Sequence, residues 1–177
     1  SGAGVSGVGH EQLLGGRGSD EAIDLWIRAF CRGGQDAILI QPPTFGMYSV
    51  CARIQNAAVI EVALADDFTL DVDAVLAAIT PAVKLIFVCT PNNPSGQYVP
   101  RGSIERLLQA LDGRALLVVD EAYIEFAYES SVADLIDRYE YLAVLRTLSK
   151  AVARAGARSG RLLANPAGRG GVRGAGP

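Results

Sequence analysis

Two adjacent carboxylates follow a strongly apolar run in the second half of the chain. Asp120 and Glu121 come directly after Leu116–Val119, and Tyr123 lies two residues further on. Such a run is typical of a buried strand, and a carboxylate at its end is costly unless a cation or a hydrogen-bond donor compensates it. A P-loop ATPase places a magnesium-binding acid in this way, but the chain has no GxxxxGK[ST] motif. Asp120 is therefore expected to face another cationic group.

Only two side chains offer a primary amine for covalent chemistry. Of the 16 basic residues, only Lys84 and Lys150 are lysines. Lys150 follows Thr147 and Ser149 at the end of an apolar run, whereas Lys84 stands at the start of one. Because the carboxyl ends of parallel strands share one edge of a sheet, Lys150 is the amine expected near Asp120. A solvent-exposed lysine after a strand is the simpler alternative.

Two glycine-containing segments add further polar groups. The turn GGRGSDE, which contains Ser19 and Asp20, precedes a helical pattern, and the N–H groups at a helix start favour a phosphate. A plain capped turn explains the same residues equally well. The segment TPNNPSG, which contains Asn93, forms a tight turn after another apolar run. A phosphate, a protonated ring nitrogen and a carbonyl that condenses with lysine occur together in pyridoxal 5′-phosphate, the cofactor that these groups would suit.

The elements that must position these residues alternate along the chain. Short apolar runs separated by helical periodicity predict an α/β fold with three layers, α/β/α, around a mostly parallel sheet. The predicted strands are Ala37–Gln41, Ala58–Ala63, Lys84–Cys89, Ala115–Asp120 and Leu142–Arg146. The predicted helices are Asp20–Cys31, Tyr48–Gln55, Asp71–Ile79, Ser103–Leu111 and Val132–Arg138.

Composition excludes several classes of protein. The chain has 177 residues, of which 50% are hydrophobic, and a net charge of −3, which permits one domain with a substantial core. No basic run suits nucleic acid, no 18-residue apolar block suits a membrane, and the first residues lack a secretory signal, so a cytoplasmic protein is expected. With His10 as the only histidine, no metal site is expected, and Cys31, Cys51 and Cys89 fit buried free thiols.

Five strings carry a resemblance to a known family: RGSDEAIDLWIRAFC, PPTFGMYSV, CTPNNPSGQ, VVDEAYIEF and LRTLSKA. Across residues 10–166 the chain resembles the fold-type I pyridoxal-phosphate aminotransferases, and among them the histidinol-phosphate aminotransferases. The resemblance implies that residues 1–166 form part of the large, cofactor-binding domain and that the small domain is missing. The glycine- and arginine-rich residues 167–177 are expected to form a disordered tail.

The resemblance also implies a role for each matching residue. The catalytic residues would be Lys150, which condenses with the cofactor, Asp120, which pairs with its ring nitrogen, and Tyr123. Asn93 and Tyr123 would bond the phenolic oxygen of pyridoxal 5′-phosphate, and Phe45 would stack on its ring. The phosphate would be held by the backbone of Ser19 and Asp20, the hydroxyls of Thr147 and Ser149, and Arg158.

The reaction that the resemblance implies is transamination from glutamate, the amino donor, to imidazole acetol phosphate, a phosphorylated oxo acceptor. The product is histidinol phosphate, an intermediate of histidine biosynthesis, and the family is homodimeric. Family members are much longer, and a Gly/Arg-rich run replaces the family pattern after Pro166, so we expect a truncated or frame-disrupted central fragment. The alternatives are a catalytically inactive remnant that keeps the fold, and another fold-type I enzyme.

Overall fold

One mixed sheet runs through the part of the chain that the computed structural model describes, which is residues 11–15, 19–122, 131–147 and 159–164. Its order in space is β1-β7-β6-β5-β4-β2-β3. Strands β2 to β6 pair in parallel, whereas β7 pairs antiparallel with both β6 and β1. The strands are β1 (Glu11–Gly15), β2 (Ala37–Ile40), β3 (Ala58–Glu61), β4 (Val83–Cys89), β5 (Leu116–Asp120), β6 (Leu142–Thr147) and β7 (Ser159–Ala164).

Helices connect the parallel strands and lie on both faces of the sheet. They are α1 (Ser19–Phe30), α2 (Met47–Ile54), α3 (Val72–Ala77), α4 (Arg101–Leu111) and a 3₁₀ helix at Ala133–Asp137. The carboxylate of Asp71 caps α3 by accepting a hydrogen bond from the N–H of Ala74 at 3.0 Å. None of the helices in the described ranges is long and apolar enough to cross a lipid bilayer.

The sheet separates two apolar cores. Within β5, Leu116 and Val118 pack with α1 and α2, while Leu117 and Val119 pack with α3, α4 and the 3₁₀ helix. This alternation is the period of two that a strand imposes on its side chains, and burial on both faces is typical of a parallel sheet. The prediction of three layers around a mostly parallel sheet is therefore confirmed.

All three cysteines belong to the core on the α1–α2 face. Cys31, Cys51 and Cys89 are buried and free, as expected from their number and spacing. Burial raises the pKa of Cys31 and of Cys89 to about 12, with Asp36 and Asp120 respectively adding negative charge nearby. These thiols therefore stay protonated inside the core.

The largest differences from the predicted elements lie at the sheet edge formed by β1 and β7. The prediction contains neither strand, because EQLLG and SGRLLA are short and carry polar residues and glycine. Antiparallel pairing with β6 places β7 in the sheet, with Arg161 opposite Arg146, although an arginine at this position departs from an apolar strand pattern. The predicted helix at Val132–Arg138 is instead the short 3₁₀ turn.

Candidate active site

Three neighbouring parallel strands bring their carboxyl ends together around Asp120. In the sheet register, Asp120 lies beside Cys89 of β4 and Leu145 of β6. The chain beyond these strands continues the pairing, since the N–H of Thr90 donates to the Asp120 carbonyl at 2.9 Å. The carboxyl ends of β4, β5 and β6 therefore meet at one edge of the sheet, the edge at which parallel sheets bind ligands.

The carboxylate of Asp120 is buried and held by two donors. Its side chain points to the α1–α2 face, and the residue is only 1% exposed. Oδ2 accepts the hydroxyl of Tyr48 at 2.6 Å, and Oδ1 accepts the N–H of Ala122 at 3.0 Å. No basic side chain in the described ranges forms an ion pair with it. Asp120 is thus oriented, yet its charge is not matched by a cation there.

Electrostatics at Asp120 reflect this lack of compensation. Desolvation by burial raises the pKa of Asp120 to about 6, while the hydrogen bonds from Tyr48 and Ala122 oppose the increase. Negative charge on Glu121 and Asp20 adds to the increase. Asp20 belongs to the first turn of α1, and this helix follows β1, which ends at the same edge of the sheet as β6. A cation bound beside Asp120 would favour its ionised form.

An aromatic cluster supports the same face of the site. Tyr48 is fully buried, and its ring stacks on Phe87 with a centroid distance of 4.8 Å and an interplanar angle of 15°. The half-buried ring of Phe45 meets Tyr48 edge-on, with centroids 5.6 Å apart. Phe45, the residue expected to stack on a cofactor ring, thus lies close to the partner of Asp120.

The loop after β4 is tied to the loop after β2 by Asn92. Its Oδ1 accepts the hydroxyl of Thr44 at 2.8 Å, and its Nδ2 donates to the carbonyl of Pro43 at 2.9 Å. The neighbouring Asn93, the predicted ligand of the phenolic oxygen, is half-buried in this loop. Asn92 therefore fixes the loop that carries Asn93, a role that the sequence analysis does not include.

Glu121 points to the opposite face of the sheet from Asp120, and its negative charge is compensated by hydrogen-bond donors and a cation. Its Oε1 accepts the hydroxyl of Ser131 at 2.6 Å and Nε of Arg146 at 3.0 Å, while Oε2 accepts the N–H of Val132 at 2.8 Å. The side chain of Glu121 is 0% exposed, so these contacts replace water around its charge. Only Asp120 of the two neighbouring carboxylates is left for a ligand.

The predicted site residues divide into those that the structure describes and those that it does not. The backbone of Ser19 and Asp20 begins α1, and Thr147 is the last residue of β6, so the described candidates lie at or near the carboxyl edge. Tyr123, Ser149, Lys150 and Arg158 lie outside the described residues, as do residues 167–177. Tyr48 is a further residue of the site. Tyr48 carries no sequence signal of its own beyond its place in the string PPTFGMYSV.

A cavity of about 210 Å³ borders this site without containing its central groups. Its lining includes Gln41, Phe68 and Tyr98, and it reaches the site at Cys89 and Asn92. Asp120, Tyr48 and Phe45 do not line it. The buried carboxylate of Asp120 therefore lies outside this cavity. The described residues contain no cluster of His, Cys, Asp or Glu that could hold a metal ion.

Comparison with known proteins identifies the family. A sequence model of the family described as aminotransferase class I and II matches residues 5–175. The chain belongs to this family. Its members are enzymes of the transferase type.

Individual relatives agree with this assignment. The chain is 54% identical over 167 residues to histidinol-phosphate aminotransferase of Xanthomonas euvesicatoria, covering 92% of this chain and 46% of that protein. It is also 54% identical over 168 residues to the protein of the same name from Stenotrophomonas maltophilia, covering 93% of this chain and 46% of that one. The chain thus spans about half the length of these relatives.

Solved structures show the same fold. Histidinol-phosphate aminotransferase from Clostridium acetobutylicum superposes with a TM-score of 0.78 at 25% identity, covering 95% of this chain and 49% of that chain. The enzyme from Sinorhizobium meliloti, solved in complex with pyridoxal-5′-phosphate, gives a TM-score of 0.74 at 26% identity, covering 92% and 44%. The prediction of a partial fold-type I domain is confirmed.

Proposed function

We propose that this chain binds pyridoxal 5′-phosphate at the carboxyl edge of β4, β5 and β6, as part of a histidinol-phosphate aminotransferase. The observation that carries the proposal is the buried carboxylate of Asp120, oriented by two donors and without an ion-pair partner among the described residues. A protonated ring nitrogen is the cation that such a carboxylate would stabilise. Membership of the aminotransferase family supports this choice of ligand.

The other described groups fit the same cofactor. Helix α1 follows β1, whose last residue Gly15 lies at the same edge as the end of β6, and the N–H groups at the start of α1 suit a phosphate through hydrogen bonding and the helix dipole. The half-buried ring of Phe45 offers an aromatic face beside the Tyr48–Asp120 pair. Asn93 lies in the loop after β4, and Thr147 is the last residue of β6. Ring, nitrogen and phosphate would thus each meet a suitable group.

The chain's residues would then divide the chemistry. When bound, pyridoxal 5′-phosphate supplies an electrophilic carbonyl and a conjugated ring that accepts electron density from the substrate. Asp120 holds the proton on the ring nitrogen, which favours that electron flow. Lys150 would hold the cofactor through its amine and would move the proton at the substrate Cα. Tyr123 and Asn93 donate to the phenolic oxygen, while Ser149, Thr147 and Arg158 bind phosphate.

The proposed substrates follow from the relatives. Identity of 54% to histidinol-phosphate aminotransferases supports glutamate as donor and imidazole acetol phosphate as acceptor, in a cytoplasmic homodimer. Residues 1–166 would form the cofactor-binding part, followed by a separate tail at 167–177. A second candidate, a chain that keeps the fold and binds the cofactor without catalysing transfer, is distinguished from this one by measuring turnover.

Covalent labelling tests the cofactor assignment. Pyridoxal 5′-phosphate is added to the protein, the visible absorbance is followed, the complex is reduced with borohydride, and the modified peptide is mapped. We expect the label on Lys150, retained in a Lys84→Arg control and lost in Lys150→Arg. Lys84 is a suitable control because it is the second residue of β4, at the edge opposite Asp120. A label on Lys84 alone, or no label, contradicts the proposal.

Activity is measured separately. The assay uses unreduced protein loaded with pyridoxal 5′-phosphate. Turnover of histidinol phosphate with 2-oxoglutarate supports the full aminotransferase assignment. Covalent labelling at Lys150 without turnover supports the second candidate.

A further inference from the structure

Tyr48 connects two groups that would contact the cofactor ring. Its hydroxyl donates to Asp120, and its ring meets Phe45 edge-on. We propose that Tyr48 is a positioning residue, whose hydroxyl fixes the Asp120 carboxylate for the ring nitrogen and favours its ionised form. This inference rests on the proposed cofactor site and assigns a role to a residue outside the set expected to contact the cofactor.

Packing leaves the Tyr48 hydroxyl little freedom. Tyr48 is 0% exposed and lies in α2, while its stacking partner Phe87 lies in the middle of β4. The aromatic ring is therefore held between a helix and the sheet. At 2.6 Å the contact with Oδ2 of Asp120 has the length of a hydrogen bond from a hydroxyl to an ionised oxygen. The orientation of Asp120 is thus set partly from a different element.

The second donor to Asp120 comes from the backbone. The N–H of Ala122 binds Oδ1, so each carboxylate oxygen is held by one donor. A carboxylate oxygen accepts more than one hydrogen bond, so both oxygens keep the capacity to accept the N–H of a ring. Tyr48 fixes the carboxylate plane without consuming the acceptor that a cofactor needs.

The charged and titratable neighbours of Asp120 give the hydroxyl an electrostatic role. Among the described residues these are Asp20 from α1, Tyr48 from α2, Cys89 from β4, and Glu121 directly after β5 with its partner Arg146 from β6. The negative charges of Asp20 and Glu121 disfavour ionisation of Asp120. The thiol of Cys89 is neutral because burial raises its pKa to about 12.

Tyr48 itself remains a donor at working pH. Burial, followed by the nearby charge of Asp120, raises the pKa of Tyr48 well above its ordinary value. Its hydrogen bond is also the largest of the contributions that lower the pKa of Asp120. Removal of the hydroxyl should therefore make Asp120 harder to ionise while the ring packing persists.

The test is Tyr48→Phe, with Tyr139→Phe as the matched control. Tyr139 also has a hydrogen-bonded hydroxyl, which accepts Nε2 of Gln109 at 3.2 Å in the other core layer. Titration of the ¹³C-labelled aspartate carboxyls, with Asp120 assigned by its loss in Asp120→Asn, needs no cofactor. We expect Tyr48→Phe to raise the pKa of Asp120 by about one pH unit, as for loss of a charged hydrogen bond, and Tyr139→Phe to leave it unchanged.

Cofactor affinity gives a second measurement. With the pKa of Asp120 increased by about one pH unit, Tyr48→Phe should weaken pyridoxal 5′-phosphate binding about fivefold at about pH 6 and less than about twofold at about pH 8.5. A purely structural role would weaken binding by the same factor at both pH values. In the Asp120→Asn background, Tyr48→Phe should have no further effect of this kind.

The possible failures are distinguishable. If the parent chain takes up no pyridoxal 5′-phosphate, the proposed cofactor site is wrong, whatever the titration shows. An unchanged pKa of Asp120 in a folded Tyr48→Phe protein overturns the role of Tyr48, even if the parent binds the cofactor. An affinity loss that does not vary with pH overturns it as well.

Discussion

Asp120 and Glu121 are neighbours in sequence, and both are 1% exposed, yet their surroundings are opposite in kind. Glu121 faces the layer of the 3₁₀ helix and accepts two hydrogen bonds and an ion pair from Ser131, Val132 and Arg146. Asp120 faces the α1–α2 layer and accepts two hydrogen bonds without a described cation. The alternation of side chains at the end of β5 separates them.

This contrast separates a carboxylate whose charge the fold compensates from the one that we propose binds a ligand. Burial is the same at both positions, so burial alone does not distinguish them. The difference is compensation, which is complete within the chain for Glu121 and incomplete for Asp120. A charge that the fold buries without matching is the one that a cationic ligand stabilises.

Removal of the cation that compensates Glu121 should have the largest effect. Arg146→Ala leaves a buried carboxylate without its ion pair, and we expect a loss of about 3–5 kcal/mol in the free energy of unfolding, measured with urea. The control is Arg28→Ala, which breaks an exposed pair with Asp24 and should cost less than about 1 kcal/mol. Equal effects of the two substitutions would contradict the compensated state of Glu121.

Asp120 should behave oppositely, because its charge opposes folding. Its pKa is about 6 in the folded chain, above the ordinary value of 3.8, so the folded state binds this proton more tightly than the unfolded state. Stability from this group is therefore present below about pH 4 and is lost as the pH rises through about 6, by on the order of 3 kcal/mol. Asp120→Asn should remove that loss from the pH profile of urea unfolding.

The direction of the change in stability with pH tests whether the charge of Asp120 is compensated within the chain. A parent chain that gains stability from Asp120 between about pH 4 and about pH 6 would require a cationic partner for it within the chain. The contrast with Glu121 would then disappear.

A smaller change sharpens the comparison from the side of Glu121. Ser131→Ala removes one of its three donors and leaves the ion pair with Arg146, so we expect a loss of about 1 kcal/mol in the free energy of unfolding. Cofactor affinity should be unchanged, since Ser131 lies on the other face of β5 from Asp120. Weaker cofactor binding in this variant would mean that the two faces are coupled.

The order of these elements could be read from the sequence because the signal is local. Each of the five parallel strands coincides with a mostly apolar segment, and the motif strings place Asp120 at the end of one of them. The edge pair of β1 and β7 could not be read this way, since each becomes a strand only through pairing with residues far along the chain. Element ends also differ by a few residues, as in α3, which is shorter than Asp71–Ile79.

The site residues likewise divide into those that a local sequence pattern indicates and those that depend on contacts between distant segments. Asp120 is identified by its position after Leu116–Val119, but its partner Tyr48 is 72 residues away in sequence. The match between Glu121 and Arg146 likewise spans 25 residues. Such pairs depend on the register of the sheet and on helix packing, which no local pattern encodes.

The location of the three cysteines in one core gives the molecule a built-in chemical reporter. The nucleophile that attacks a thiol-blocking reagent is the thiolate, which is scarce for Cys31 and Cys89 while burial holds the pKa near 12. Cys89 also borders the cavity lined by Phe68 and Tyr98, whereas Cys31 does not, so alkylation of Cys31 requires the α1–α2 layer to open. The rate of alkylation at Cys31 in the native protein thus measures how often the face that carries Asp120 separates from the sheet.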